Sequence, residues 1–376
     1  MPVEYLKRAK RVVVKLGSNV ITAENGLNLV VIDAITSQIS RLMDRGIEVI
    51  LVSSGAMAAG VRKMGMAGRP TEIPLRQAVS AIGQTELMNE YEKDFGRYGR
   101  KVAQILLTGE DLNDRTRYLN ARNCLHTLIN WKVVPVINEN DTIMVEEIKL
   151  GDNDNLAAMI TLLLDADFLF ILTDIDGLYD KDPRRHDDAR LISTVSRYEQ
   201  RIEDYASHIP GTLGTGGMLS KIKAAQKVTS AGIPMIVARG DQPDILTDLF
   251  SGKRFGTYFV AGKEKMASRK CWIAHTLTPK GSIIIDDGAV RAVAENGKSL
   301  LPIGVVAVEG EFEQGAAVNF KTTDHQIIGT GLVNYRSLDI QLIKGLKTFQ
   351  IEACLGARHY DEIIHRDNLV LKTACG

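Results

Sequence analysis

Cysteine is scarce in this sequence, with four in 376 residues (Cys124, Cys271, Cys354 and Cys375) and no C-x-x-C pair. That spacing excludes a patterned zinc site or a disulfide framework and suits free thiols in a reducing cytosol. Net charge is missing too, since forty-six basic residues stand against forty-six acidic ones. A whole-molecule electrostatic attraction to nucleic acid or to an acidic membrane is thereby excluded. The most apolar stretch, Leu156–Leu164, is nine residues long, whereas a membrane helix needs about 20. Near the start, Lys7, Arg8, Lys10 and Arg11 are followed only by Val12–Val14 before Lys15 interrupts, which is too little for a secretion signal. A cytoplasmic location is the expectation.

What the sequence does contain is the ordinary inventory of a globular protein, 45% apolar and 24% charged, long enough for two domains. From residue 11 to about 260, short β-branched runs alternate with amphipathic stretches. Strands are expected at Arg11–Leu16, Ile47–Ser53, Val102–Thr108, Val133–Asn138, Phe168–Thr173, Ile233–Ala238 and Thr257–Val260. Helices are expected at Val30–Asp44, Leu75–Phe95, Arg117–Trp131, Asn155–Leu164 and Met218–Ala231. Continuous apolar strands separated by helices call for a mostly parallel open sheet covered on both faces. After about residue 262 the texture changes to short β-rich pieces at Ser282–Ile285, Gly304–Val308, Ala317–Phe320 and Ile327–Leu332, punctuated by glycine, with one helix at Leu338–Leu346. The division expected is an α/β domain over 1–262, a linker over 263–274, and a small barrel-like or sandwich domain over 275–376.

Chemistry in a parallel sheet gathers at the carboxyl ends of the strands, where helix N-termini aim backbone N–H groups outward. Three glycine-bearing loops fall there: Lys15-Leu16-Gly17-Ser18-Asn19, Ser53-Ser54-Gly55-Ala56, and Gly211-Thr-Leu-Gly-Thr-Gly-Gly217. The third is the most informative. Four glycines in seven residues weaken a chain unless the backbone must approach something closely, and the loop enters a helix bearing Ser220 and Lys221. It is a sensible phosphate cradle, although Ser220 stands where a P-loop needs glycine and Leu219 where a dinucleotide fingerprint needs its third. Two look-alikes fail on context. His365-Arg366-Asp367-Asn368 imitates a protein-kinase catalytic loop without the Asp-Phe-Gly that should follow, and the acidic loops lack the register of an EF-hand.

Asn138-Glu139-Asn140-Asp141 ends one strand, and Gly151-Asp152-Asn153-Asp154-Asn155 opens a helix. Capping accounts for one residue of each loop. The surplus of Asp, Asn and Glu suits recognition of a small zwitterion or of a magnesium–phosphate group.

Taken in order, the Val-Val-Val-Lys15-Leu-Gly-Ser opening, Ser53–Ala56, Asn138–Asp141, Gly151–Asn155, Thr173-Asp174-Ile-Asp-Gly-Leu-Tyr179 and Gly214-Thr-Gly-Gly-Met218 with Lys221 resemble the amino acid kinase family. Within it they are most similar to the members that phosphorylate the side-chain carboxylate of L-glutamate, at the head of proline biosynthesis. The tail after residue 275 is similar to a PUA domain. The resemblance implies an amino acid kinase fold, ATP as co-substrate, and Mg²⁺ bound mainly through ATP. It implies that Ser54, Asp141 and Asn153 hold glutamate, with Gly55 and Asn138 beside them. Lys15, Thr173, Asp174 and the run Thr215, Gly216, Gly217, Met218, Leu219, Ser220 and Lys221 would hold ATP. Lys15 and Lys221 would flank the moving phosphoryl group, with Asp154 positioning both lysines. Feedback by proline and a homo-oligomer, dimer or tetramer, are implied as well.

A relative acting on N-acetylglutamate, aspartate, carbamate or a nucleoside monophosphate would share the phosphate loops. An RNA-binding role is the alternative of another class, since PUA domains are commonly RNA modules. Charge speaks against it, because residues 271–376 hold ten Lys/Arg and twelve Asp/Glu.

Overall fold

The computed structural model describes residues 2–23, 26–143, 153–196, 202, 205, 217–262, 270, 272–273, 277–356 and 360–372. The chain clusters into two compact units, Met1–Lys265 and Met266–Gly376. Apart from Lys270, Trp272 and Ile273, the stretch expected as a linker lies outside the described residues.

The first unit is organised by an eight-stranded sheet. Its strands are β1 (Arg11–Leu16), β2 (Glu48–Ser53), β3 (Val102–Leu107), β4 (Val134–Glu139), β5 (Phe168–Thr173), β6 (Thr194–Val195), β7 (Met235–Arg239) and β8 (Thr257–Phe259). Their spatial order is β3-β4-β2-β1-β5-β7-β8-β6. Every pairing is parallel except β7 with β8. The apolar run of β1 is explained by its place, since it pairs with β2 on one side and β5 on the other and is sealed on both faces. Chain order reverses around β1, with β2 to one side and β5 to the other. The crevice beyond the carboxyl ends of these strands is therefore where an open sheet offers a site.

Alternation along β1 sends Val12, Val14 and Leu16 to one face and Lys15 to the other. On the first face lie α1 (Leu29–Asp44), α3 (Ile73–Gly96) and α7 (Ile245–Ser251), in one apolar cluster with Val49, Leu51, Phe168 and Phe170. Helix α1 earns its place through Ile32, Ile35, Ile39 and Leu42, recurring at helical spacing, and starts where Asn28 accepts from Val31 N at 3.3 Å. The opposite face is covered by α5 (Asn153–Leu163), which packs on β1, β2, β4 and β5, and by α6 (Met218–Ser230), which packs on α5 and β7. Helix α4 (Arg115–Asn130) lies against β4.

Helix α2 (Ala56–Lys63) was not expected from the sequence, because its apolar stripe is made of alanine and glycine. It crosses α3 at backbone contact. A Cβ on Gly83 would stand 1.8 Å from the Ala56 carbonyl oxygen, so no other residue fits there without displacing a helix.

In the second unit the strands are β9 (Ser282–Ile285), β10 (Val305–Glu309), β11 (Ala317–Lys321), β12 (Ile327–Leu332) and β13 (Leu369–Leu371), in the order β10-β9-β11-β12-β13. Ile283, Ile285, Val318, Phe320, Ile340 and Ile364 belong to its own core. Helix α8 (Asp287–Ala294), also not expected, is capped by Asp286, which accepts from Ala289 N at 2.7 Å. The helix expected over Leu338–Leu346 is α9 (Ser337–Ile343). It ends early because Lys344 leaves helical geometry and Gly345 takes a φ of 74°. The kinase-like His365–Asn368 sequence is a turn into β13, with Asp367 N donating to His365 Nδ1 at 3.2 Å.

Candidate active site

The carboxyl ends of β1, β2, β4 and β5 face the N-termini of α5 and α6, and the chemically interesting residues meet there. At the centre is Asp154, in the first turn of α5 and fully buried. Lys15, on the α5 side of β1, forms an ion pair with its Oδ1. Lys221, in the first turn of α6, donates to Oδ2 at 3.0 Å, and Ser220 Oγ donates to the same oxygen at 2.7 Å. Burial alone would raise the Asp154 carboxyl, but the Lys15 and Lys221 ammonium groups and the Lys15 and Ser220 hydrogen bonds hold it well below the usual carboxylate range. Its position at the positive end of α5 acts in the same sense. Two buried ammonium groups on one carboxylate leave that trio with a net charge of +1 at the mouth of two helix N-termini, an arrangement that attracts anions.

Beside this cluster lies a second one built of amides and hydroxyls. Asn153, the residue before Asp154, directs its Nδ2 at the Ser53 carbonyl (3.1 Å), Ser54 Oγ (2.8 Å) and Asn138 Oδ1 (3.0 Å). Asn138 Oδ1 also accepts from Glu139 N at 2.9 Å, and its Nδ2 donates to Gln84 Oε1 at 2.9 Å. Gly55, which caps α2 at a φ of 99°, lets the chain turn sharply after Ser54; a side chain there would be strained and would meet Ile21. Asp141 follows β4 and accepts from Ser80 Oγ.

On the far side of the lysines, Asp174 follows β5. Asn19 Nδ2 donates to it at 2.9 Å and Thr173 Oγ1 at 3.0 Å. Burial opposes its charge, yet those donors, its own backbone N–H and the Lys221 ammonium keep its carboxyl below the ordinary value. Gly17 passes so close to β5 that a Cβ would lie 3.2 Å from the Leu172 carbonyl oxygen and 3.9 Å from Lys15 Nζ. Of the glycine-loop candidates, Gly217 caps α6, Met218 turns inward and Leu219 turns its side chain to solvent. Thr215 and Gly216 lie outside the described residues, as do Gly151 and Asp152.

The structure thus brings Lys15, Asp154, Ser220 and Lys221 into direct contact, and joins Ser54, Asn138 and Asn153 in a neighbouring network. Reading the sequence missed α3's contribution. Ser80, Gln84 and Tyr91 lie on the buried face of that helix, where Ser80 meets Asp141, Gln84 meets Asn138, and Tyr91 OH lies 2.7 Å from Ser53 Oγ. The available signal was polar residues at i and i+4 on a stripe continued by the apolar Leu87.

The profile of the amino acid kinase family matches residues 10–239, and that of the PUA domain matches residues 281–355. A protein of Geobacter sulfurreducens named glutamate 5-kinase is 50% identical over 367 residues, covering 97% of this chain and 98% of that protein. One of the same name from Geobacter metallireducens is 51% identical over 372 residues, covering 99% and 100%. Among solved structures, carbamate kinase from Giardia lamblia bound to AMP-PNP matches with a TM-score of 0.50 and 18% identity, over 68% of this chain and all of that one. At that identity the likeness speaks for the fold alone.

Proposed function

The chain belongs to the amino acid kinase family, and on that premise we propose that it transfers the γ-phosphoryl group of ATP to the side-chain carboxylate of L-glutamate, giving L-glutamyl 5-phosphate and ADP. This is the first step of proline biosynthesis. The observation that carries the reading is the union of a doubly lysine-paired Asp154 with an amide pocket that begins at the adjacent Asn153.

A glutamate carboxylate, with a pKa of about 4.3, is already ionised at neutral pH and attacks phosphorus without a general base. The protein's task is to bring two anions together and neutralise the charge that accumulates between them. We assign that task to Lys15 and Lys221, with Asp154 and Ser220 holding them in place. Gly217 and the N-terminus of α6 serve the phosphates, joined by Thr173, Asp174 and the 215–219 run. Ser54, Gly55, Asn138, Asp141 and Asn153 form the glutamate pocket.

Magnesium fits as a passenger on the triphosphate. Asp154 is engaged by Lys15, Lys221 and Ser220, and among the described residues no three Asp, Glu, His or Cys side chains converge as a metal cage. When bound, Mg²⁺ neutralises phosphate charge.

The direct test gives the protein Mg-ATP and hydroxylamine with L-glutamate, L-aspartate or N-acetyl-L-glutamate in parallel. Hydroxamate is expected with L-glutamate. Product with another acceptor instead would retain the phosphate machinery and remove the substrate assignment. In the same assay Asp141→Ala is expected to raise the KM for glutamate while leaving that for ATP near the parent value; unchanged glutamate saturation would take Asp141 out of the pocket.

From the same relationship we propose feedback inhibition by proline, a homodimer or homotetramer, and work in the cytoplasm. Among the described residues no helix is long and apolar enough to cross a membrane. Glutamate saturation curves with added proline and the mass in solution test the first two.

A further inference from the structure

The amide network fixes its own orientation, starting from backbone atoms whose roles are not in question. The Ser53 carbonyl accepts, so the Asn153 atom facing it is Nδ2. Asn153 Nδ2 and Glu139 N both donate to one atom of Asn138, which must be Oδ1. Asn138 then presents Nδ2 to Gln84, so Gln84 answers with Oε1. Among the described residues this leaves Gln84 Nε2 buried with no hydrogen-bond partner, and leaves Asn153 Oδ1 in the same condition. A buried donor and a buried acceptor at the two ends of one network are costly unless a ligand uses them.

We infer that Gln84 is a specificity-determining residue of the acceptor pocket, its Nε2 donating a hydrogen bond to the carboxylate of glutamate that is not phosphorylated, while Asn153 Oδ1 accepts from the substrate ammonium. The inference rests on the amino-acid-acceptor reading above. The reacting carboxylate must lie by Lys15 and Lys221, next to Asp154. Along the chain of contacts from Asp154 through Asn153 and Asn138, Gln84 is the most remote member, which suits the other carboxylate. Gly83, locked against the Ala56 carbonyl, holds this turn of α3 beside the Ser54–Gly55 corner. A pocket whose buried polar groups match the substrate rejects analogues that leave them unpaired.

Gln84→Glu separates this role from mere support of Asn138. The new side chain is isosteric and keeps an oxygen for Asn138 Nδ2, but it presents a carboxylate where the amide offered a donor. In the hydroxamate assay it is expected to raise the KM for L-glutamate by about 10²-fold or more, the scale of a lost buried polar match. The KM for ATP should stay close to that of the parent, while the melting temperature falls because the variant buries an unpaired carboxylate. Lowering the pH toward 5 should recover part of the loss, since the protonated carboxyl donates again. Gln84→Met, of similar volume, should raise the glutamate KM without that recovery, and it carries the test if the glutamate variant fails to fold. A glutamate KM within threefold of the parent in a folded variant, or equal increases for ATP and glutamate, would overturn the assignment. Absence of glutamate-dependent product from the parent itself would instead remove the underlying reading, and the inference with it.

Discussion

Replacing Lys221 with alanine is expected to lower kcat by about 10²–10³ or more, the scale of losing one preorganised charge donor at a developing anion. The enzyme should remain folded. Asp154 would still be paired with Lys15, and the buried cluster would pass from a net +1 to neutral, so no uncompensated charge is stranded. Lys15→Ala should behave in the same way, because Ser220 and Lys221 both remain on Oδ2. Steady-state kinetics in both substrates check this. A loss confined to KM, with kcat preserved, would mean that the lysine binds ground-state ATP and does no more.

Asp154→Asn should do greater damage, and of a different kind. It leaves two ammonium groups facing one neutral amide in a fully buried setting, so the cluster moves from +1 to +2. Breaking a buried ion pair from one side costs about 3–5 kcal/mol. In a unit of this size each kcal/mol is worth roughly 2–4 °C, so a fall of about 6–20 °C in the melting temperature of the first unit is expected, together with loss of turnover. Adding Lys221→Met to that variant should restore much of the stability and none of the activity, since residues sharing one carboxylate do not act additively. If the double variant melted as low as the single one, like-charge repulsion would not be the cause.

The same carboxylate sets a dependence on acidity. Because its folded pKa is depressed, its contribution to stability is fully present above the unfolded value of about 3.9 and is lost as the pH falls through the folded value. Near neutral pH it does not titrate. Acid unfolding of the first unit should therefore be shifted in Asp154→Asn, whose amide has nothing to protonate.

Much of this architecture was legible because it is written in periodicity. The Val12–Val14 and Phe168–Leu172 runs are apolar without alternation, as strands sealed on both faces must be, and both lie at the centre of the sheet. The lysines and Asp154 were legible through their loops, each sitting where a strand ends or a helix begins. Helix α2 was not, since Ala56, Ala59 and Gly60 carry so little apolar volume that their stripe reads as a turn; what makes it a helix is backbone contact with α3, a tertiary fact. Ser80 and Gln84 stayed hidden for a related reason. On a long helix two polar residues read as part of a solvated face, and only the fold turns that face toward Asn138 and Asp141. Asn19, in the loop after β1, holds Asp174 through its Nδ2, a contact no local pattern announces.

Asn153 and Asp154 are consecutive, yet the side chain of one belongs to the amide pocket and that of the other to the lysine cluster. A single peptide unit, about 3.8 Å from Cα to Cα, is thus the gauge that spaces the amide network from the lysine cluster. A residue inserted between them would rotate one partner by about 100° around the axis of α5 and carry it out of its network. Neither network can be retuned there by sliding, so on the proposed assignment a change of acceptor would have to come through the walls supplied by α2, α3 and β4.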